Sequence, residues 1–450
     1  MKPQRPPKPA SAPRPRRAQS RPAANTEGLA ARKAALALVS AALSRRGGFD
    51  EAVGDPELGA LEPRDRAFAR WLAASTLRRL GPVEAALDAR LKRPPPDSVR
   101  GLLRIGAAQV MFALAPAHAA VSTALALADQ TRETRPFKGL INAVLRGLDR
   151  EPPPKPEPAA FLPSWLAARW TAAYGQETVA ALVETLLADP PTDLSLKPEA
   201  DAAALAEALE GEVLPGGSVR TRQRGDIANW PGFAEGGWWV QDAAAAVAAR
   251  LLAPKAGEDV LDLCAAPGGK TLQLVAAGAR VVALDKSEFR LARVRENLDR
   301  TSLTAEVVGA DAAAWTDERQ FDAVLLDAPC SATGTFRRQP EVLWAARPSD
   351  IAKLAVIQAK LLDSAARRVR PGGRLVYAVC SLEPEEGEAQ IAAFLARHPD
   401  FAVTPPEPDS VGAPAEALRP QGWLRILPSY WLERGGMDGF FICRLARAEA

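Results

Sequence analysis

Two cysteines that follow apolar segments are the strongest candidates for chemistry in this chain. Cys330 ends the motif DAPC, which follows the apolar run VLL, and Cys380 follows the run LVYAV. Both runs are typical of buried strands. Because parallel strands end at one shared edge, where open α/β sheets bind ligands, the two thiols could face one substrate.

Such a pair of thiols suits methyl transfer to carbon 5 of a pyrimidine. That carbon is too weak a nucleophile to take a methyl group unaided, but a thiolate that adds to carbon 6 activates it. A second group can then assist release of the thiol from the methylated product. The pattern predicts a helix from about Pro384, whose dipole would favour a thiolate at Cys380. Asp327 could bind the cytosine edge and favour protonation of the ring nitrogen.

A glycine-rich turn, CAAPGGKT over residues 264–271, follows a third apolar strand over residues 259–263. Its spacing fits neither a Walker loop nor the G-x-G-x-x-G turn, but its glycines and the helix that follows could cradle a carboxylate. Asp285 and Asp311 follow the next two predicted strands, where they could hold ribose hydroxyls and an adenine amino group. A carboxylate, a ribose and an adenine together indicate S-adenosylmethionine, whereas aspartates that only cap helices are the alternative.

The spacing of hydrophobic residues changes along the chain, and these changes predict how the chain divides into domains. Residues 29–150 show only helical spacing, which predicts a bundle of five or more helices. The proline-rich residues 151–160 predict a stiff linker, and residues 161–235 a small mixed α/β region. From residue 236 to 450 strands alternate with helices, which predicts a doubly wound α/β domain. Its last strand, over residues 439–445, is expected to lie antiparallel at the sheet edge.

Composition excludes several kinds of protein. The net charge of +3 is uninformative, but the first 26 residues carry seven basic residues and no acidic one. We expect a disordered proline-rich tail over residues 1–28, which either binds nucleic acid or is only solvated. No apolar run could span a bilayer, and four cysteines without CxxC spacing predict neither a zinc site nor a disulfide framework. His118 and His398 have no apparent partner, which argues against a histidine-based site.

Together these motifs closely resemble the bacterial RNA (cytosine-5) methyltransferases of the RsmB, or Sun, family. The resemblance is carried by VLDLCAAPGGKT (260–271), ALDKSEFRLARVRENLDR (283–300), FDAVLLDAPCSATGTFRRQPE (321–341), LVYAVCSLEPEE (375–386), DGFF (438–441) and WWVQDAA (238–244). In the helical region, PRDRAFAR (63–70), VSTALALA (121–128) and KGLINAVLRGL (138–148) resemble a NusB-type RNA-binding domain.

The resemblance implies a Rossmann-like class I methyltransferase domain, preceded by an all-α NusB-like domain, that acts on ribosomal RNA of the small subunit (16S). It implies that Cys380 is the nucleophile, that Cys330 helps to release the product, and that Asp327 and Lys270 border the target base. The implied contacts to S-adenosylmethionine are Cys264, Ala265, Ala266, Pro267, Gly268, Gly269, Lys270, Asp285, Asp311 and Asp327.

Two segments depart from the family pattern. Val379 stands where the family usually has threonine before the nucleophile, so a hydroxyl near the thiol is missing. Residues 193–197 read DLSLK where the family tends to have LRVN, which puts the RNA contacts expected there in doubt. Arg337 and Arg338, which follow the Cys330 motif, could hold phosphates or could be solvated loop charges.

We therefore expect a cytoplasmic, monomeric RNA cytosine-5 methyltransferase that needs neither a metal nor a membrane. A DNA cytosine-5 methyltransferase would carry its nucleophile in the Pro-Cys motif and would not need Cys380. An amine methyltransferase typically has Asn/Asp-Pro-Pro-Tyr/Phe where this chain has DAPC. An RNA-binding assembly factor that keeps the fold without catalysis remains an alternative.

Overall fold

An all-α region opens the chain in the computed structural model, which describes residues 28–44 and 48–449. Of the tail predicted over residues 1–28, only Gly28 lies within these ranges. The helices of this region are α1 (Leu29–Ser44), α2 (Gly48–Val53), α3 (Pro56–Gly59), α4 (Pro63–Arg78), α5 (Leu80–Asp88), α6 (Asp97–Met111), α7 (Ala117–Ala128) and α8 (Lys138–Arg150). Their apolar faces bury two adjoining clusters, one around α1 and α4 and the other around α5 to α8.

A small mixed region follows residues 151–157, in which the structure has no helix or strand. Its elements are α9 (Ser164–Tyr174), α10 (Gln176–Leu187), β1 (Thr192–Leu196), α11 (Ala202–Ala208), β2 (Glu212–Val213), β3 (Val219–Thr221) and β4 (Trp238–Val240). The four strands form an antiparallel sheet in the order β2-β3-β1-β4. Strand β4 therefore belongs to this small sheet although it follows residue 235, where the sequence predicts the start of the next domain.

A second, larger sheet carries the cysteine motifs. Its elements are α12 (Ala243–Leu252), β5 (Asp259–Leu263), α13 (Gly269–Ala276), β6 (Arg280–Asp285), α14 (Glu288–Thr301), β7 (Glu306–Gly309), β8 (Phe321–Asp327), α15 (Val342–Ala345), α16 (Pro348–Arg368), β9 (Val369–Val379), α17 (Glu388–Arg397), β10 (Phe401–Val403), α18 (Pro408–Val411), β11 (Leu424–Ile426) and β12 (Phe440–Arg447). The order is β10-β12-β9-β8-β5-β6-β7, with β11 also paired to β12. Strands β5 to β9 are parallel, and β12 runs antiparallel to β9.

Side chains of β9 alternate between the two faces of this sheet, as the period of a strand requires. Val376 and Ala378 pack with α12 on one face, while Leu375, Tyr377 and Val379 pack with α16 and α17 on the other. All five are fully buried. Burying a large apolar side chain contributes roughly 1.5–3 kcal/mol, so both helical layers hold the strand that ends at Cys380 in place.

Two predictions about the end of the chain are wrong. Strand β12 is antiparallel, but it is not an edge strand, because β10 and β11 pair with it on the side away from β9. The helix expected from about Pro384 begins only at Glu388 as α17, because residues 384–387 form a turn. The helix therefore begins eight residues after Cys380 and not four, as the sequence suggested.

The helical region packs directly on the loop that carries Cys330. Arg78 of α4 donates a hydrogen bond to the carbonyl oxygen of Arg337 at 3.2 Å, and Trp344 of α15 donates to the carbonyl of Leu77 at 2.9 Å. Arg78 is only 4% exposed. The all-α region therefore helps to position one of the two cysteine loops.

Candidate active site

The two cysteines of the DAPC and YAVC motifs lie next to each other at the carboxyl edge of the large sheet. Strands β8 and β9 are parallel neighbours, paired so that Asp327 lies opposite Ala378. The Sγ atoms of Cys330 and Cys380 are 3.4 Å apart, a hydrogen-bond distance for thiols rather than a covalent bond. Cys330 is 8% exposed and Cys380 is partly exposed, so a substrate would approach Cys380 more easily.

Backbone contacts fix this juxtaposition. The amide of Gly334 donates to the carbonyl oxygen of Cys380 at 3.0 Å, and the amide of Gly439 donates to the carbonyl of Gly334 at 2.8 Å. A Cβ atom on Gly334 would lie 2.1 Å from the carbonyl oxygen of Gly439, so only glycine permits this approach. Gly439 of the DGFF motif thereby holds the loop that follows Cys330 in place.

Lys270 reaches the same edge from the first turn of α13. Its Nζ atom donates a hydrogen bond to Asp327 Oδ2 at 2.7 Å. Burial alone would lower the pKa of Lys270, but the charge of Asp327 and the hydrogen bond to it outweigh burial and raise this pKa. A negative charge on Cys380 acts in the same direction, so the ammonium of Lys270 and a thiolate at Cys380 attract each other.

The four thiols differ in their electrostatic surroundings. The hydrogen bond to Cys380 is the largest cause that raises the pKa of Cys330, and burial raises it further, so Cys330 keeps its proton. Burial raises the pKa of Cys264 and of Cys443 to about 12. The last two thiols are therefore poor candidates for a nucleophile.

The glycine-rich turn forms a concave backbone beside the Lys270–Asp327 pair. Gly268 has a φ of +105°, and α13 starts at Gly269, so backbone N–H groups of the first helical turn face outward. Asp285 accepts a hydrogen bond from the amide of Ala266 at 3.3 Å, which joins the turn to the end of β6. Pro267 at the tip of the turn is exposed.

Asp285 and Asp311 differ in exposure. Asp285 is 2% exposed and also accepts from the amide of Ser287 at 2.9 Å. Asp311 is exposed, and its carboxylate accepts from the amide of Ala313 at 2.9 Å. The amide of Ala310 bonds to the carbonyl of Asp285, so the two acids lie at adjoining strand ends, Asp311 two residues beyond β7.

Asp262 of β5, two residues before the glycine-rich turn, is a buried acid with an incomplete set of hydrogen bonds. Its Oδ2 atom accepts from Thr271 Oγ1 at 2.6 Å, whereas Oδ1 has no hydrogen-bond partner among the described residues. Burial raises the pKa of Asp262 to about 7, although the bond from Thr271 acts against this. An orphaned oxygen, a glycine cradle and acids at the next two strand ends are chemically suited to a ligand with an amino acid head, a ribose and a base.

Sequence reasoning missed the polar cluster behind the cysteines. Ser331 and Ser381, the residues directly after the two cysteines, both bond to the buried carboxylate of Glu386. The shared Cys-Ser order was the available signal. Glu383 and Glu385, which could have opposed a thiolate at Cys380, instead bind Arg169 at 2.8 and 2.7 Å.

The expectation that Arg337 holds phosphates is wrong. Arg337 is 1% exposed and bonds to Asp242, while Arg338 bonds to Asp438. Both aspartates are fully buried, so the two arginines neutralise acids inside the protein.

The histidines and the acidic residues are also possible ligands of a metal ion or partners of a catalytic group. His398 pairs with Asp363 at 2.9 Å, an acid that the sequence did not suggest. Within the described ranges no cluster of three or more histidine, cysteine or acidic side chains could hold a metal ion. In the same ranges no helix is long and apolar enough to cross a membrane.

The sheet order and the glycine turn together define a class I methyltransferase domain, here preceded by an all-α domain. The fold class predicted from the sequence is thereby confirmed. The chain belongs to the family described as 16S rRNA methyltransferase RsmB/F, whose model matches residues 249–446, and the model of the NusB family matches residues 29–150.

Relatives of known name cover most of the chain. Ribosomal RNA small subunit methyltransferase B of Vibrio cholerae serotype O1 is 37% identical over 413 residues, which are 86% of this chain and 91% of the relative. The protein of the same name from Salmonella arizonae is 39% identical over 410 residues, 85% of this chain and 91% of the relative.

Solved structures share the architecture. The crystal structure of PH0851 is similar with a TM-score of 0.76 at 25% identity, over 93% of this chain and 98% of that one. The structure of NSun6 from Pyrococcus horikoshii with SFG has a TM-score of 0.54 at 20% identity, over 64% of this chain and 99% of that one, a likeness of fold.

Proposed function

We propose that this protein transfers a methyl group from S-adenosylmethionine to carbon 5 of a cytosine in small-subunit ribosomal RNA. The observation that carries the proposal is the pair of thiols 3.4 Å apart beside the Lys270–Asp327 ion pair. The names of the family and of its relatives support ribosomal RNA as the substrate. Cys264 to Lys270, Asp285, Asp311 and Asp327 would hold the methyl donor, which supplies an electrophilic methyl group on a positively charged sulfur.

Cys380 is the proposed nucleophile. Its thiolate forms a bond to carbon 6 of cytosine, and the electrons of the 5,6 double bond make carbon 5 nucleophilic. Lys270 attracts the thiolate before the attack. The Lys270–Asp327 pair binds the cytosine edge and supplies a proton to the ring nitrogen, which takes up the developing charge.

Cys330 is proposed to help release the product. Carbon 5 would take the methyl group from the donor, whose sulfur would keep both electrons of the broken carbon–sulfur bond and leave as a neutral thioether. Carbon 5 then bears the methyl group and its original proton, which passes to a water molecule as the double bond re-forms and the bond from carbon 6 to the sulfur of Cys380 breaks. In the same step the ring nitrogen returns its proton to the Lys270–Asp327 pair. Cys330 keeps a thiol proton beside the sulfur of Cys380, so it can donate a hydrogen bond to the departing thiolate.

A trapping experiment tests these roles. Wild type, Cys380→Ala, Cys330→Ala and the control Cys443→Ala are each mixed with unmodified 16S ribosomal RNA and S-adenosylmethionine. Denaturing gels detect a protein–RNA adduct, and nucleoside analysis detects 5-methylcytosine. We expect Cys330→Ala to accumulate the adduct, Cys380→Ala to give neither adduct nor product, and Cys443→Ala to behave as wild type.

Other outcomes would overturn the proposal. An adduct that forms only with Cys380→Ala would exchange the two roles and favour the arrangement of DNA cytosine-5 methyltransferases. RNA binding by wild type without methylation or any trapped variant would favour a non-catalytic assembly factor.

A further inference from the structure

A buried carboxylate that the proposed reaction does not use lies beneath both cysteine loops. Glu386 is fully buried in the turn between β9 and α17. Its Oε1 atom accepts hydrogen bonds from the amide of Ser331 at 2.9 Å and from Gln358 Nε2 at 3.0 Å. Its Oε2 atom accepts from the hydroxyl groups of Ser331 and Ser381. One side chain therefore binds the residue that follows each cysteine.

We call Glu386 with Ser331, Ser381 and Gln358 the polar brace, and further hydrogen bonds hold it in place. The hydroxyl of Tyr377 donates to the carbonyl oxygen of Glu386 at 2.7 Å, and Gln358 also donates to the carbonyl of Pro329 at 3.0 Å. The two serine hydroxyls are 3.1 Å apart. Side chains held by several bonds of this kind fix loop geometry more firmly than apolar packing does.

A buried carboxylate is costly unless its oxygens are well bonded. Glu386 makes no ion pair within the part of the chain that the structure describes, and its carboxylate accepts hydrogen bonds from the neutral donors Ser331, Ser381 and Gln358. A buried cation lies close by without bonding to Glu386: Arg425 donates to the carbonyl oxygen of Ser381 and pairs with Glu388. A residue needed only for packing would not require a charge in this place.

We propose that Glu386 is a positioning residue for the two-cysteine reaction, because its carboxylate holds Ser331 and Ser381 and thereby sets the spacing of the sulfur atoms of the two cysteines that precede them. This inference rests on the function proposed above and assigns a residue that the reaction itself does not touch.

The electrostatics around Cys330 agree with this role. The titratable and charged groups around Cys330 include Cys380 and Tyr377 of β9 and Glu386, with Lys270 and Asp327 beyond Cys380 and Arg425 of β11 beyond Tyr377 and Ser381. The pKa of Cys330 is raised first by its hydrogen bond to Cys380, then by burial, and then by the charges of Cys380 and Glu386. Loss of the charge on Glu386 should therefore lower the pKa of Cys330.

The adjacent acid offers a matched control. Glu386→Gln keeps the size of the side chain but removes its charge and one of its two acceptor oxygens. Glu385→Gln makes the same chemical change at a side chain that is 48% exposed and bound to Arg169. Circular dichroism and thermal unfolding establish that both variants fold.

The first measurement needs no RNA. In a Cys380→Ala background, the rate of alkylation of Cys330 by iodoacetamide is followed against pH by mass spectrometry of the peptide that carries it. We expect Glu386→Gln to lower the midpoint by about one pH unit, as removal of a nearby like charge does, and Glu385→Gln to leave it unchanged. An unchanged midpoint in both variants would overturn the electrostatic part of the proposal.

The second measurement is steady-state methylation in the protein with both cysteines. We expect Glu386→Gln to lower kcat by about 10- to 100-fold, because small displacements of reacting groups cost that much, with KM for RNA and for S-adenosylmethionine near the wild-type values. Equal kcat for Glu386→Gln and Glu385→Gln would overturn the positioning role. If Glu386→Gln does not fold, Ser331→Ala with Ser381→Ala removes the two hydroxyl donors and must lower kcat in the same way.

The two measurements also separate this inference from the proposed function. If wild type does not methylate ribosomal RNA, the function is wrong, and the alkylation midpoint alone decides whether Glu386 controls Cys330. If wild type is active and neither readout distinguishes Glu386→Gln from Glu385→Gln, the function stands and the role of Glu386 is refuted.

Discussion

Replacement of Arg337 by methionine should destabilise the protein without removing an RNA contact. Arg337 is 1% exposed and bonds to Asp242, while Asp438 Oδ1 lies 3.7 Å from the same Nη2 atom. Both carboxylates are fully buried, and Asp242 also caps α12 by accepting from the amide of Ala244 at 2.9 Å. Arg337→Met would thus leave two buried acids sharing a single arginine.

The size of the effect follows from these contacts. Removal of one partner from a buried ion pair costs about 3–5 kcal/mol, because the other charge stays buried and uncompensated. Arg338 Nε, 3.7 Å from Asp242, retains part of the compensation, so we expect the lower end, about 3 kcal/mol. For a domain of about 200 residues, such as the one built on the large sheet, a loss of about 3 kcal/mol corresponds to a fall in Tm of about 6–12 °C.

The assay pairs thermal unfolding with the salt dependence of RNA binding. Arg293→Met is the control, because the side chain of Arg293 is 69% exposed and pairs only with the exposed Glu296 among the described residues, so its loss should change Tm little. Each phosphate contact that is lost reduces the slope of log affinity against log salt by about 0.7–0.9. We expect Arg337→Met to leave that slope unchanged. A shallower slope at an unchanged Tm would refute the structural role and restore the phosphate contact.

Two further changes test the glycine turn and the junction of the cysteine loop. The pKa of Asp262 is raised to about 7 from its usual value near 3.8, so its protonated form favours the folded state below the lower value, and this stability is lost as pH rises through about 7. Asp262→Asn cannot titrate, so its stability relative to wild type should rise between pH 5 and pH 8 by about 3 kcal/mol, that is two pH units below the raised pKa at about 1.4 kcal/mol each, and a constant difference in Tm would contradict the shift. Gly334→Ala places a Cβ 2.1 Å from the carbonyl oxygen of Gly439, so Tm and methylation should fall together, whereas alanine at Gly139, with nothing within 4 Å of its Cβ, should change neither.

The sequence by itself determined the class of fold and the elements that carry the candidate site. Strands that end at Leu263, Asp285, Asp327 and Val379 were predicted because apolar runs of strand length alternate with helical patterns. Parallel strands end at one edge, so the sequence placed both cysteine motifs on the same edge of the sheet, whereas their 3.4 Å approach depends on the pairing of β8 with β9. The glycines, the cysteines and the acids at strand ends are recognisable in a sequence because their types are unusual in those positions.

The tertiary structure alone decided which charges serve the site and which serve the fold. The sequence left open whether Arg337 and Arg338 hold phosphates or are solvated loop charges. In the structure they pair with Asp242 and Asp438, about a hundred residues away on either side, and Arg337 is buried. Glu386 carried no separate signal in the sequence, but the turn over residues 384–387 directs its side chain to Ser331, 55 residues earlier. The period of the hydrophobic residues indicates which face of a helix or strand is buried, but it does not indicate which residues pack against that face. The partner of a buried charge therefore depends on segments far away in the chain. For this reason the hydrogen bonds of Glu386 to the serines that follow the two cysteines could be found only in the tertiary structure.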